Sequence, residues 1–299
     1  MTATPLWQTV LFGCCAGLAV VWYMFAQPGL VAQLLLLAPL VAILGLPHGA
    51  LDLPIAEALW PLHGWRGKLR FMSVYLGLAS VVIVLWILVP GIALAVFLAY
   101  SVLHFSDDWS QAAPPLRWTG GVATIGAPAL VHPEEVAMLF AYLAPPAAAG
   151  VIANAAAMAG ALGLFLFAVT CLFRPEARGR ATTEQAILWG LAALLPPLMF
   201  FTIYFCGLHS IRHFSTTILF VPRAKRALAI AALLSGIVTL AAAGYLHGRT
   251  VEAPDGLARY LVQTVFIGLA ALTVPHMILV EGFSNLKKRR SPALQPNIH

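Results

Sequence analysis

Apolar residues dominate the chain in long runs, and short polar or proline-containing breaks separate them. The runs fall at roughly 7–26, 29–46, 71–89, 92–106, 118–131, 150–173, 185–220, 227–246 and 258–281. Most are long enough, as helices, to cross about 30 Å of hydrocarbon. Pro28, the Pro90–Gly91 pair and the Pro145–Pro146 pair mark turns between them. The 185–220 run is too long for one ordinary span. Pro196 and Pro197 interrupt it, so the pattern predicts a hairpin of two helices there. The predicted fold is all-α: a polytopic transmembrane bundle of about 8–10 membrane helices.

Composition supports the same solvent. Of 299 residues, 61% are hydrophobic and 9% charged, and the mean hydropathy is +0.89. Soluble domains carry about 25% charged residues, so a water-soluble fold is excluded. The net charge of +6 does not point to nucleic acid. Its basic residues sit in the connections: Arg66, Lys68 and Arg70; Arg174, Arg178 and Arg180; Arg223, Lys225 and Arg226; Lys287, Lys288, Arg289 and Arg290. That distribution marks cytoplasmic loops of a multi-pass protein of the cell (inner) membrane. Placing every cluster inside requires an even number of crossings through 185–220 and puts both termini in the cytoplasm. Cys14, Cys15, Cys171 and Cys206 lie in apolar runs without CxxC spacing and read as buried hydrophobes. No Lys or Arg precedes the first run, which reads as a retained helix. Residues 1–283 form one transmembrane domain, and 284–299 a polar, basic, frayed tail.

Five of nine histidines lie in or at the ends of apolar runs: His48, His104, His209, His213 and His276. Ionisable groups at membrane depth are expensive and usually functional. His209 and His213, in GLHSIRHF, are four apart, so a helix projects both from one face. That spacing suits a two-histidine metal clip. Ser210 stands where a zincin would carry glutamate, which disfavours a zinc protease. His48 with Asp52 (GLPHGALD) and His104 with Asp108 (LHFSDD) repeat the four-residue spacing. A carboxylate one turn away can accept a ligating histidine's second N–H, directly or through a neighbour. Asp107 reads as an interfacial charge. His276, in VPHMILVEGF, is a further ligand or substrate-lining group. The topology puts all five at compatible depths near the cytoplasmic side. His63, His132, His247 and His299 read as solvated.

Neutral imidazoles suit iron, copper, zinc or nickel. Four of them on octahedral Fe(II) leave two positions open, whereas zinc tends to a closed tetrahedral site. A site within hydrocarbon calls for a lipid-soluble substrate. Trp60, Phe105, Trp109, Phe205 and Phe214 flank the histidine segments and are candidates to line an apolar tunnel.

Taken in order, GLPHGALD, the LHF segment with its aspartates, GLHSIRHF and the late PHM resemble the bacteriorhodopsin-related-protein (Brp/Blh) family of membrane β-carotene 15,15'-dioxygenases. The resemblance spans about residues 44–282. It departs at Ser106, where the motif leads one to expect glycine. The resemblance implies an integral membrane enzyme that splits β-carotene at its central double bond with Fe(II) and O2, giving two retinal molecules. It implies that His48, His104, His209 and His213 are the iron-associated histidines. Asp52, Asp108 and His276 match motif positions as second-shell groups or an additional ligand. It also implies a functional link to a retinal-binding rhodopsin. Three alternatives remain open at this point: a lipid hydroxylase or desaturase, a transporter using buried His and Asp, and a non-catalytic carotenoid-binding protein.

Overall fold

The computed structural model describes residues 5–45, 51–60, 62, 64–218, 224–252 and 256–290, and these are helical with short connections. In chain order the helices are α1 (Leu6–Ala26), α2 (Leu30–Leu40), α3 (Asp52–Leu59), α4 (Gly64–Leu88), α5 (Pro90–Ser106), α6 (Pro114–Val131), α7 (Pro133–Ala141) and α8 (Pro146–Phe173). After them come α9 (Arg180–Leu194), α10 (Pro197–Tyr204), α11 (Ser210–Ile218), α12 (Ala224–Glu252) and α13 (Leu257–Arg290). A π-helical turn, Val41–Gly45, follows α2, and a second, Phe205–His209, joins α10 to α11. A 3₁₀ turn, Asp107–Trp109, follows α5. Proline opens α5, α6, α7, α8 and α10, where its missing N–H has no helical partner to lose.

Six described helical stretches are long and apolar enough to cross a membrane: Leu6–Ala26, Gly64–Leu88, Pro90–Trp109, Pro146–Phe173, Leu228–Arg249 and Leu257–Leu279. Leu30–Gly45 is a shorter apolar helix. The predicted break at Pro196 and Pro197 is present, between α9 and α10. Two short helices, α3 and α7, were not separable from their neighbours in the hydropathy pattern. The terminal helix continues through Arg290, into the stretch read as tail, since no proline stops it before Pro292.

Polarity is inverted relative to a soluble protein. Leu18, Ile87, Val151, Met158, Phe165 and Leu240 lie on the outside. Gln8, Asp52, Glu184, Gln185, His209 and Arg212 are buried. Hydrocarbon accepts the first set, and the bundle satisfies the second. Helices α6 and α8 meet at Gly126 and Gly160, where a Cβ on Gly126 would lie 2.6 Å from the Gly160 backbone. Small residues of this kind let membrane helices approach closely.

Candidate active site

The histidines collect where four elements meet. His104 lies in the last turn of α5, His209 ends the second π turn, His213 follows on α11, and His276 stands after Pro275 in α13. Their rings form a closed circuit. Centroid separations are 4.7 Å for His104–His209, 6.3 Å for His209–His213, 4.8 Å for His213–His276 and 6.1 Å for His276–His104. His104, His209 and His276 are buried, and His213 is half-buried. His48 lies outside the described residues. Gly45 and Asp52, on either side of its segment, both line the cavity described below.

Two of these imidazoles are held by buried carboxylates. The Nδ1 of His209 lies 3.1 Å from Asp108 Oδ2, and the Nδ1 of His276 lies 2.7 Å from Asp52 Oδ1. Each carboxylate also accepts a tyrosine hydroxyl. Tyr204 donates to Asp108 at 2.8 Å, and Tyr75 donates to Asp52 at 2.9 Å. A carboxylate on Nδ1 favours the tautomer with its proton there, which leaves Nε2 as the ring's lone-pair nitrogen.

For Asp108 the pairing differs from the local expectation, and for Asp52 the local partner, His48, lies outside the described residues. The partner the structure gives Asp108 is His209, 101 residues away, and the partner of Asp52 is His276, 224 residues away. For Asp108 the cause is the switch from α to 3₁₀ geometry at Asp107. The tighter turn rotates Asp108 away from the face that carries His104. Asp107 does behave as a surface charge and pairs with Arg117 at 2.6 Å. His132 differs from its solvated reading. It is half-buried, with Nε2 2.9 Å from the Ala192 carbonyl.

The donor set fits a metal at one pair. His104 Nε2 and His209 Nε2 are 3.1 Å apart. Two imidazole nitrogens at about 2.1 Å from a metal, at a right angle, stand about 3.0 Å apart. The wider circuit is looser than a ligand set. Among the described residues, no group of three or more His, Cys, Asp or Glu side chains is arranged to hold a metal ion.

A charge cluster that sequence reasoning missed braces this centre. Glu184 on α9 is fully buried and accepts from Thr9 at 2.5 Å, Trp109 at 3.0 Å and Arg212 at 2.7 Å. Arg180 pairs with it at 3.1 Å. Arg212, between the two histidines of GLHSIRHF, also donates to the Asp108 carbonyl at 2.8 Å and to Gln8 at 3.3 Å. The signal was available in Arg212 itself, because an arginine within an apolar run demands a carboxylate somewhere.

A cavity of about 330 Å³, apolar except for a few groups, reaches the histidines. Along α5 it is lined by Leu94, Phe97, Leu98, Ser101, His104 and Phe105, one helical face. Along α13 it is lined by Val262, Phe266, Leu269, Thr273 and His276, again one face. Leu94 to His104 covers about 15 Å, and Val262 to His276 about 21 Å, at 1.5 Å per residue. The cavity is therefore elongated, with His104 and His276 at one end. Leu76, Ile237 and Val238 line it and are also 54%, 55% and 40% exposed on the apolar exterior. Of the flanking aromatics, Phe105 and Phe205 line it, and Phe205 stacks on His209 at 5.5 Å. Trp109 instead stacks on Tyr204, and Phe214 packs beside Leu51.

Fold and site together define an all-helical membrane-type protein whose elongated apolar cavity ends on buried histidine–carboxylate pairs. The family model for β-carotene 15,15'-dioxygenase matches residues 39–284. A β-carotene 15,15'-dioxygenase of uncultured marine bacterium 66A03 is 33% identical over 257 residues, 81% of this chain and 90% of that protein. No solved structure matches the chain. The chain belongs to the β-carotene 15,15'-dioxygenase family, whose class is that of the carotenoid-cleaving dioxygenases. The matched span includes every histidine, aspartate and tyrosine of the circuit.

Proposed function

We propose that this protein cleaves β-carotene at the central 15,15' double bond, consuming O2 and releasing two molecules of retinal. The observation that carries the reading is the elongated apolar cavity that ends on His104 and His276 and whose lining residues Leu76, Ile237 and Val238 are also exposed on the apolar exterior. A rigid apolar polyene partitions into lipid and enters such a cavity sideways. The walls from α5 and α13 orient it and exclude water.

The residues proposed to hold Fe(II) are His48, His104, His209 and His213, with His276 as an additional ligand. The Nε2 pair of His104 and His209, and the carboxylates that Asp108 and Asp52 set against Nδ1 of His209 and His276, support this assignment. Bound Fe(II) supplies the dioxygen chemistry, in which each carbon of the broken double bond receives one oxygen atom. Asp108 and Asp52 keep the Nδ1 protons in place, and Tyr204 and Tyr75 keep the carboxylates turned toward the imidazoles. The protein is placed in the cell membrane with both termini cytoplasmic, where its product is available to a retinal-binding rhodopsin.

Expression in cells that accumulate β-carotene tests the reading. Colour is lost and retinal appears with the wild-type chain. His209→Ala abolishes retinal formation and lowers the iron recovered per purified protein. Retinal persisting in His209→Ala would show that the site is misassigned, and unchanged β-carotene with the wild-type chain would refute the activity.

A further inference from the structure

The end of the cavity opposite the histidines is built as a stiff wall. It is formed by α7 and the turn after it, through Val136, Leu139, Phe140 and Leu143. Three hydrogen bonds from three other helices fix this segment. The Trp86 indole of α4 donates to the Leu143 carbonyl at 2.9 Å, and the Gln263 amide of α13 donates to the Tyr142 carbonyl at 2.9 Å. At the start of α7, the His132 ring is bonded to the Ala192 carbonyl of α9 at 2.9 Å. Pro133 opens α7, and Pro145 and Pro146 follow the turn, so neither flank can slide into a longer helix. Val136 is also buried beside Ala129 and Ala153 of α6 and α8.

Nothing in the cavity can register an apolar polyene by hydrogen bonds along its middle. The ionisable lining groups, Asp52, Tyr75, His104 and His276, gather at the histidine end, and the other polar lining residues are the hydroxyls of Ser101, Thr124, Ser235 and Thr273. The position of the bond that reaches the histidines must then be set by where the buried tip of the substrate stops. We infer that the α7 wall, with Phe140 and Leu143 as its adjustable residues, is a length gauge that selects which double bond of a polyene is cleaved. One ring-bearing half fills the chamber from the wall to the histidines, and the other half remains toward the opening. The 15,15' bond is chosen because the chamber holds half of this substrate and no more. This inference rests on the proposed carotenoid cleavage and specifies what determines its position.

The gauge predicts a change of product, not only of rate. Phe140 is half-buried, so Phe140→Ala deepens the chamber with little burden on the fold. Leu143→Ala deepens it at a buried position. The full-length variants are incubated with β-carotene and O2, and the aldehydes are separated by chromatography. Pairs of unequal length rise about 10-fold or more relative to retinal, in line with the discrimination that one or a few methylenes give in an apolar pocket. Iron content per protein stays at the wild-type value.

The wild-type chain gives a second test that needs no substitution. It is supplied with polyenes that carry one intact ring and a far half shortened to different extents. Cleavage stays at the same bond counted from the intact ring, releasing retinal from each. Retinal as the sole product of both variants, or a cleavage site in the shortened polyenes that moves with total length, would overturn the gauge. A wild-type chain that makes no retinal from β-carotene would instead overturn the activity on which it rests.

Discussion

At the scale of single residues, the decisive arrangement is a carboxylate behind each of two histidines. An ionised carboxylate can only accept, and Asp108 and Asp52 each face one imidazole Nδ1 and one tyrosine hydroxyl. Asp108→Asn keeps the shape but offers an amide that can present N–H to Nδ1 and reverse the tautomer. Metal affinity then falls by about 10–100-fold, the usual effect of losing such a partner. Titration of Fe(II) into metal-free protein against a competing chelator measures it. An affinity equal to wild type would mean that His209 does not ligate through Nε2. Single residues were also the most legible scale in the sequence. His48, His104, His209, His213 and His276 were singled out from apolar runs; the structure gathers the last four, and His48 lies outside the described residues. The partner of Asp108 was sought one turn away, at His104, because an i, i+4 spacing presumes an unbroken α-helix. Nothing in LHFSDDW signals the tightening at Asp107, since no glycine or proline stands there.

At the scale of elements, the junction of α1, α9 and α11 depends on one buried acid. Glu184 receives bonds from Thr9 on α1, Trp109 after α5 and Arg212 on α11, and it is closed by Arg180 on its own helix. Glu184→Ala removes the carboxylate that pairs with both Arg212 and Arg180 in the bundle. Breaking one half of a buried pair costs about 3–5 kcal/mol, so thermal unfolding in detergent shifts to lower temperature. Glu184→Ala combined with Arg212→Met removes both charges and recovers part of that loss. If the double variant is as unstable as Glu184→Ala alone, the uncompensated charge is not the cause. Arg212 signals that a carboxylate must face it, but the sequence does not say which one, because the members lie 175 and 28 positions apart and share no motif. The short helices α3 and α7 escaped for a different reason. Each is flanked closely by long apolar runs, and a hydropathy pattern averages over them.

At the scale of the whole molecule, the helix order was readable because lipid imposes it. Backbone groups in hydrocarbon must be satisfied within the segment, so long apolar runs have one available structure. The break at Pro196 and Pro197 is present, and of the about 8–10 membrane helices expected, six described stretches are long and apolar enough to cross while Leu30–Gly45 is shorter. What an apolar run cannot encode is which face turns inward, since lipid and core are almost equally apolar. The elongated cavity was therefore out of reach. The orientation rests on the basic connections, and it yields a check. Fusion of a reporter that fluoresces only in the cytoplasm to either end of the chain gives signal from both, and a periplasm-dependent phosphatase at the same ends stays inactive. One silent terminus would mean an odd number of crossings.

The bond between Asp52 and His276 joins the first quarter of the chain to its last helix. During synthesis the ribosome delivers Asp52 long before His276 exists, and α13 is the last described segment to enter the bilayer. Until then Asp52 stands without the imidazole it is built to receive, and the far cavity wall along α13 is missing. The centre is thus assembled by the final step of insertion. A polypeptide halted before Pro275 carries His104, His209 and His213 in full, yet it cannot enclose a substrate.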